Sequence, residues 1–133
     1  MPSPKWRRFW APKGFKAITE GYPQQSEVYL VRALRTIDDT KKRPAVVVSI
    51  NVRNEFSRTV LIVPFTSNIS GGENPTRILI PRGEGGLEAD SLAICDNITA
   101  VRKLYLERGP YGQISPESLE KIQRGIQIAI GIF

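Results

Sequence analysis

Arg43 and Thr66 are the residues whose types and spacing suggest chemistry. Each stands at one end of an apolar, β-branched run: Lys42-Arg43-Pro44-Ala45-Val46-Val47-Val48-Ser49 in the first case, Val60-Leu61-Ile62-Val63-Pro64-Phe65-Thr66-Ser67 in the second. Runs of this length and composition read as strands. If the connection from Asn51 to Arg58 closes an antiparallel hairpin with Ile50 opposite Thr59, counting back places Arg43 opposite Thr66. Directly opposed residues share a face with Cβ atoms roughly 5 Å apart. A forked donor of permanent charge beside a short hydroxyl donor suits a phosphate. A slip of one residue would send the two to opposite faces. Taken singly, Arg43 would be an ordinary charged strand end and Thr66 an ordinary edge residue.

Other chemistries fall away on composition. The 133 residues include no histidine, which removes His-based acid/base pairs, Cys–His nucleophiles and imidazole metal sites. The single Cys95 lies in an apolar run and has no partner for an internal disulfide, so a reducing cytoplasm is expected. No apolar stretch has membrane-spanning length and no signal-peptide pattern is present. The formal charge of +6 is uneven: residues 1–25 hold Lys5, Arg7, Arg8, Lys13 and Lys16 against Glu20 alone, together with Trp6 and Trp10. Cations interleaved with aromatics can track a phosphate backbone and stack bases. The same segment could pack back on the domain or a second copy, or lie on an anionic membrane; Pro12, Gly14 and Pro23 argue against a long helix there.

The elements that must position the pair follow from Glu27 onward, so the chain reads as an extension over 1–25 and one domain over 26–133. Glu27 to Leu34 is a strand and Arg35 to Lys42 a loop. The two central strands come next, then strands at Thr76 to Pro81, Ser91 to Cys95 and Ile98 to Val101. The glycine-rich stretches Ser70 to Pro75 and Arg82 to Gly86 read as turns, since neither opens a helix. Ser115 as N-cap, Pro116 and Glu117 start a C-terminal helix. Its apolar stripe runs through Leu119, Ile122, Ile126, Ala129, Ile130 and Phe133. Several short strands followed by one helix make a small antiparallel α+β domain, mainly β.

The motifs Lys-Arg-Pro-Ala-Val-Val-Val-Ser, Val-Pro-Phe-Thr-Ser, Pro75-Thr76, Asp90-Ser91-Leu92-Ala93-Ile94-Cys95-Asp96 and Ala129-Ile130-Gly131-Ile132, in this order, resemble the MazF/PemK/Kid toxins of type II toxin–antitoxin systems from about Glu27 to the C-terminus. The resemblance implies an SH3-like barrel, a homodimer, a cognate antitoxin and DNA binding as the toxin–antitoxin complex. The activity it implies is a ribosome-independent endoribonuclease. Such an enzyme cuts single-stranded RNA without metal, using the substrate's 2′-hydroxyl and leaving 2′,3′-cyclic phosphate and 5′-hydroxyl ends. Arg43 matches the family's catalytic arginine before proline, and Thr66 its second active-site position. Asp96 matches an acidic residue proposed as general base in some members, or is a turn aspartate before Asn97. Lys42, Ser67 and Asn68 would contact RNA.

The chain departs from the family pattern at three places. Ser26-Glu27 stands for the usual Gly-Asp, Arg35 to Thr40 for the loop of Gly, Glu and Gln, and Thr99-Ala100-Val101-Arg102 for Arg-Thr-Val-Asp. Two other functions share the fold: a gyrase poison resembling CcdB, against which the missing C-terminal Trp-Gly-Ile counts, and a non-catalytic module that binds RNA or antitoxin only.

Overall fold

The computed structural model describes residues 21–32 and 42–133, Arg108 in its backbone only. The basic leader up to residue 20, the loop as far as residue 41 and the first strand beyond Arg32 lie outside the described residues. The elements in chain order are β1 (Glu27–Arg32), β2 (Lys42–Val47), α1 (Asn51–Phe56), β3 (Thr59–Thr66), β4 (Arg77–Ile80), β5 (Ser91–Ile94), β6 (Thr99–Arg102), β7 (Leu106–Gln113) and α2 (Pro116–Ala129). All strand pairs are antiparallel, in the spatial order β4-β5-β3-β2-β1-β7 with β6 on β3. The path stays open between β7 and β4, giving a mostly antiparallel β fold with a C-terminal helix.

The β2–β3 register is the expected one. Ala45 faces Pro64, Val46 faces Val63 and Val47 faces Ile62; Val48 N donates to Leu61 O at 2.9 Å. Alternation sorts the side chains into two cores. Val46, Val48, Val63 and Phe65 join Ile80, Cys95 and Ile122 on the α2 side. Ala45, Val47, Val60 and Ile62 join Val31 and Val101 on the other. Both faces are buried, which is why these strands read as continuous apolar runs.

The Asn51–Arg58 connection needs correction: it holds α1 rather than a plain loop. Six residues are too few for a helix to stand alone, and side-chain bonds to residues on either side of it hold this one. The buried Asn54 donates through Nδ2 to Ser49 O at 2.9 Å and accepts from Ser49 Oγ, which itself accepts from Leu61 N at 3.0 Å. Arg53 donates to Thr59 O at 2.9 Å and Thr59 Oγ1 at 3.0 Å. Strand β7 was absent from the sequence reading, because Glu107, Gly109 and Pro110 break any strand pattern. It pairs with β1 alone, and an edge position tolerates proline.

Helix α2 starts where expected, with Ser115 Oγ accepting from Ser118 N at 3.1 Å. It ends in a Schellman turn: Gly131, at φ 84°, donates to Ile128 O at 3.0 Å, and Ile132 N to Gln127 O at 2.8 Å. Leu119, Ile122 and Ile126 pack on the core as the stripe predicted. The rest of the stripe is corrected. The helix stops at Ala129, and Ile130 and Phe133 are 65% and 89% exposed. Gly125 lets the helix seat closely, since a Cβ there would lie 2.7 Å from Cys95 Sγ.

Candidate functional site: an anion-binding rim

Arg43 is the second residue of β2, exposed, and opposite Val31 of β1. Thr66 is the last residue of β3, half-buried, and opposite Leu92 of β5. The β2–β3 ladder ends at Ala45–Pro64, so the two residues stand beyond its last pair rather than directly bonded across it. Alternation from Ala45 and Val47 on one strand, and from Val60 and Ile62 on the other, still puts both on one face. The parting of the strands has a local cause. β3 pairs with β6 through Ile62 and with β5 from Phe65, and Pro64, which has no N–H to offer a ladder, lies at the changeover.

Thr66 Oγ1 accepts from Asn68 N at 3.2 Å. That bond uses a lone pair and leaves the hydroxyl proton to be given to an incoming oxygen. Asn68 is itself turned into the loop, its Oδ1 accepting from Ser70 Oγ at 2.7 Å and Ser70 N at 3.3 Å. Ser67 beside it is exposed. Among the described residues none bonds the Arg43 guanidinium, and the residue is exposed at the strand end. Arg43, Thr66, Ser67 and Asn68 are therefore brought to one rim.

Lys42 and Asp96 are placed differently. Lys42 alternates to the face opposite Arg43, and its ammonium sits on Glu107 Oε2, while Arg32 Nε lies 3.1 Å from Glu107 Oε1. The Lys42 bond first, and Arg32 with it, hold the Glu107 carboxyl below the usual range. Glu107 thus ties the end of β1 to the start of β2. It was missed because the strand that presents it has no sequence signature. Asp96 is exposed in the 3-10 turn Cys95–Asn97 that follows β5. It is not a ladder partner of Arg43 or Thr66.

Two further groups are tied up. Burial, and after it the charge of Asp96, push the Cys95 thiol up to about 11, which removes it as a nucleophile. Glu27 accepts from Gln24 N at 2.6 Å and from Tyr29 Oη at 3.1 Å; burial and then this carboxylate push the Tyr29 phenol up. Among the described residues, no group of three or more His, Cys, Asp or Glu is placed to hold a metal ion.

Fold and rim together describe a small β domain with an exposed guanidinium and a hydroxyl with a proton to spare on one face. Comparison with known proteins supplies the family. Residues 24–130 match the family described as PemK-like, MazF-like toxin of type II toxin–antitoxin system, and the chain belongs to it. Relatives include the endoribonuclease EndoA of Bacillus subtilis, 26% identical over 90 residues that cover 68% of this chain and 77% of that protein. The endoribonuclease MazF of Staphylococcus saprophyticus is 26% identical over 91 residues, 68% of this chain and 74% of that protein. A solved endoribonuclease in complex with its cognate antitoxin, from a mycobacterial species, superposes with a TM-score of 0.68 at 22% identity. That match covers 84% of this chain and 97% of the other.

Proposed function

We infer that the protein is a toxin endoribonuclease that cuts single-stranded RNA and is neutralised by a cognate antitoxin. The family match over residues 24–130 carries this reading, and the placement of Arg43 and Thr66 on one rim supports it. The reaction is metal-independent transesterification. The substrate's 2′-hydroxyl attacks the adjacent phosphorus, the 5′-oxygen leaves, and the ends are a 2′,3′-cyclic phosphate and a 5′-hydroxyl. DNA lacks the attacking hydroxyl and is not cut.

Arg43 stabilises charge on the phosphorane oxygens, because its guanidinium is always protonated and, among the described residues, unbonded. Thr66 donates its free hydroxyl proton to the same phosphate. Ser67 and Asn68 touch RNA beside it. Lys42 acts on RNA through its charge only when released from Glu107, and Asp96 takes the 2′-proton only if substrate covers it. The domain over 26–133 is an SH3-like barrel used as a homodimer in the cytoplasm, with residues 1–25 as an extension; its last residues touch the domain, Gln25 Nε2 donating to Val48 O at 2.8 Å. No helix among the described residues is long and apolar enough to cross a membrane.

The test is incubation of a long single-stranded RNA and its DNA counterpart in EDTA, with the new ends analysed. Discrete RNA cuts ending in cyclic phosphate, with the DNA intact, support the reading. RNA bound but uncut moves it to the non-catalytic module, and gyrase inhibition without RNA cleavage to the gyrase poison.

A further inference from the structure

Arg43 is held in place by one ladder. The β2–β3 pairing stops at Ala45–Pro64, so among the described residues the strand end that carries Arg43 is paired with β1 alone, through Val31–Arg43 and a last rung, Arg32–Lys42. That last rung sets two cations directly opposite each other, and like charges so placed weaken a strand pair. β7 supplies the group that offsets them. Glu107 pairs with Leu30, and Leu30 alternates to the same face as Arg32 and Lys42. From there its carboxylate meets both cations: Oε1 lies 3.1 Å from Arg32 Nε, and Oε2 takes the Lys42 ammonium. One side chain therefore joins three strands, one oxygen to each cation, at the rung next to Arg43. Val31 and Arg43 alternate to the other face, so the carboxylate does not touch a phosphate bound by the guanidinium.

We infer that Glu107 is a positioning residue for Arg43: by neutralising the Arg32–Lys42 rung it fixes the backbone from which the guanidinium reaches the scissile phosphate. The reaction is that of the function proposed above, on which this inference rests. Because Glu107 acts through the strand, its removal bears on the rate of cutting more than on the binding of RNA. A catalytic group displaced by about 1 Å can cost ~10²-fold in rate. Exposed ion pairs hold a backbone less firmly than buried ones, and the Arg32 and Lys42 side chains are 65% and 47% exposed against 22% for Glu107. The loss expected without Glu107 is accordingly smaller, roughly 3–10-fold. Removing a carboxylate also leaves the protein more cationic, so its affinity for a polyanion should not fall.

The experiment measures single-turnover cleavage of a defined RNA over a range of protein concentrations, which separates the saturated rate from the half-saturating concentration, each per folded molecule. E107Q is expected to lower the saturated rate roughly 3–10-fold and to leave the half-saturating concentration equal or lower. R32Q/E107Q, which leaves Lys42 with no like charge opposite, is expected to recover most of that rate. A side chain that only added stability would not be rescued by removing a second member of the network. On an R43A background E107Q should change nothing further, because it acts through Arg43. Backbone order parameters of the RNA-free protein, measured by NMR relaxation, give a readout independent of activity: E107Q should lower the value at Arg43, and R32Q/E107Q should restore it. A wild-type rate in E107Q, a loss that persists in full on the R43A background, or no rescue by R32Q overturns the inference and leaves the proposed function standing. A wild type that cuts no RNA sinks that function instead. The order parameters then test the support of Arg43 by themselves, a fall in E107Q upholding it and an unchanged value overturning it.

Discussion

The α2 side of the sheet and the rim at the ends of β2 and β3 are built in opposite ways from the same strands. On the α2 side, Val46, Val63, Ala93, Cys95 and Ile122 are at zero exposure, and the helix is capped by Ser115 at its start and by the Gly131 turn at its end. At the rim, a guanidinium without a described partner and a hydroxyl with a donor to spare lie just where two strands stop pairing. Stability comes from apolar packing on both faces of the sheet, with α2 closing one of them. The proposed chemistry sits where that packing and the ladder both run out, so the rim's polar groups need not be buried or paid for in stability.

Ile122→Ala leaves a cavity at a fully buried position, and a loss of about 2–5 kcal/mol is expected by thermal or denaturant unfolding, with RNA cleavage per folded molecule unchanged. Gly125→Ala acts on the same packing. Alanine favours a helix by about 1 kcal/mol, but the added Cβ would lie 2.7 Å from Cys95 Sγ and 3.3 Å from Pro75 O. Overpacking of about 1–3 kcal/mol wins. The melt should fall, and Gly125→Ala with Cys95→Ala should recover part of the loss.

At the rim the order of effects reverses. Thr66→Val keeps the shape and removes the hydroxyl, so single-turnover cleavage should slow by roughly 3–10-fold, the worth of one neutral hydrogen bond, with the melting temperature nearly unmoved. The smallest effect is on pH dependence. Burial raises the Glu84 pKa, but bonds from Ser118 and Ser115 and the nearby Lys121 outweigh it, leaving the folded-state value below the ordinary 4.5. A depressed carboxylate contributes stability above its unfolded pKa and loses it as pH falls through the folded value. Wild type should therefore lose stability below about pH 4.5 more steeply than Glu84→Gln.

How much of this was legible in the sequence follows the same division. The strand pair, its register, the capped helix and the Arg43 and Thr66 positions all rest on local pattern: β-branched runs, a Ser-Pro-Glu start, and a hairpin count that held from Ala45 to Val48. Helix α1 was illegible because Asn54 and Arg53 are stabilised by Ser49 and Thr59, residues outside any helical pattern. Strand β7 was illegible because an edge strand on β1 can carry Glu107, Gly109 and Pro110 without a signature. With β7 went Glu107, and hence the fact that Lys42 is engaged on the face opposite Arg43. The apolar stripe of α2 overran its end because Gly131 reverses the chain before Ile132 and Phe133 can follow the helix.

The most direct test is the single-turnover cleavage rate of a defined RNA by Arg43→Ala, measured beside its thermal melt. Loss of the permanently charged donor that Arg43 brings to the rim should slow cutting by about 10²–10³-fold, with a melting temperature indistinguishable from wild type, since Arg43 is exposed and the core lies elsewhere. A rate within a few-fold of wild type would contradict the account by showing that the chemistry is not on this rim.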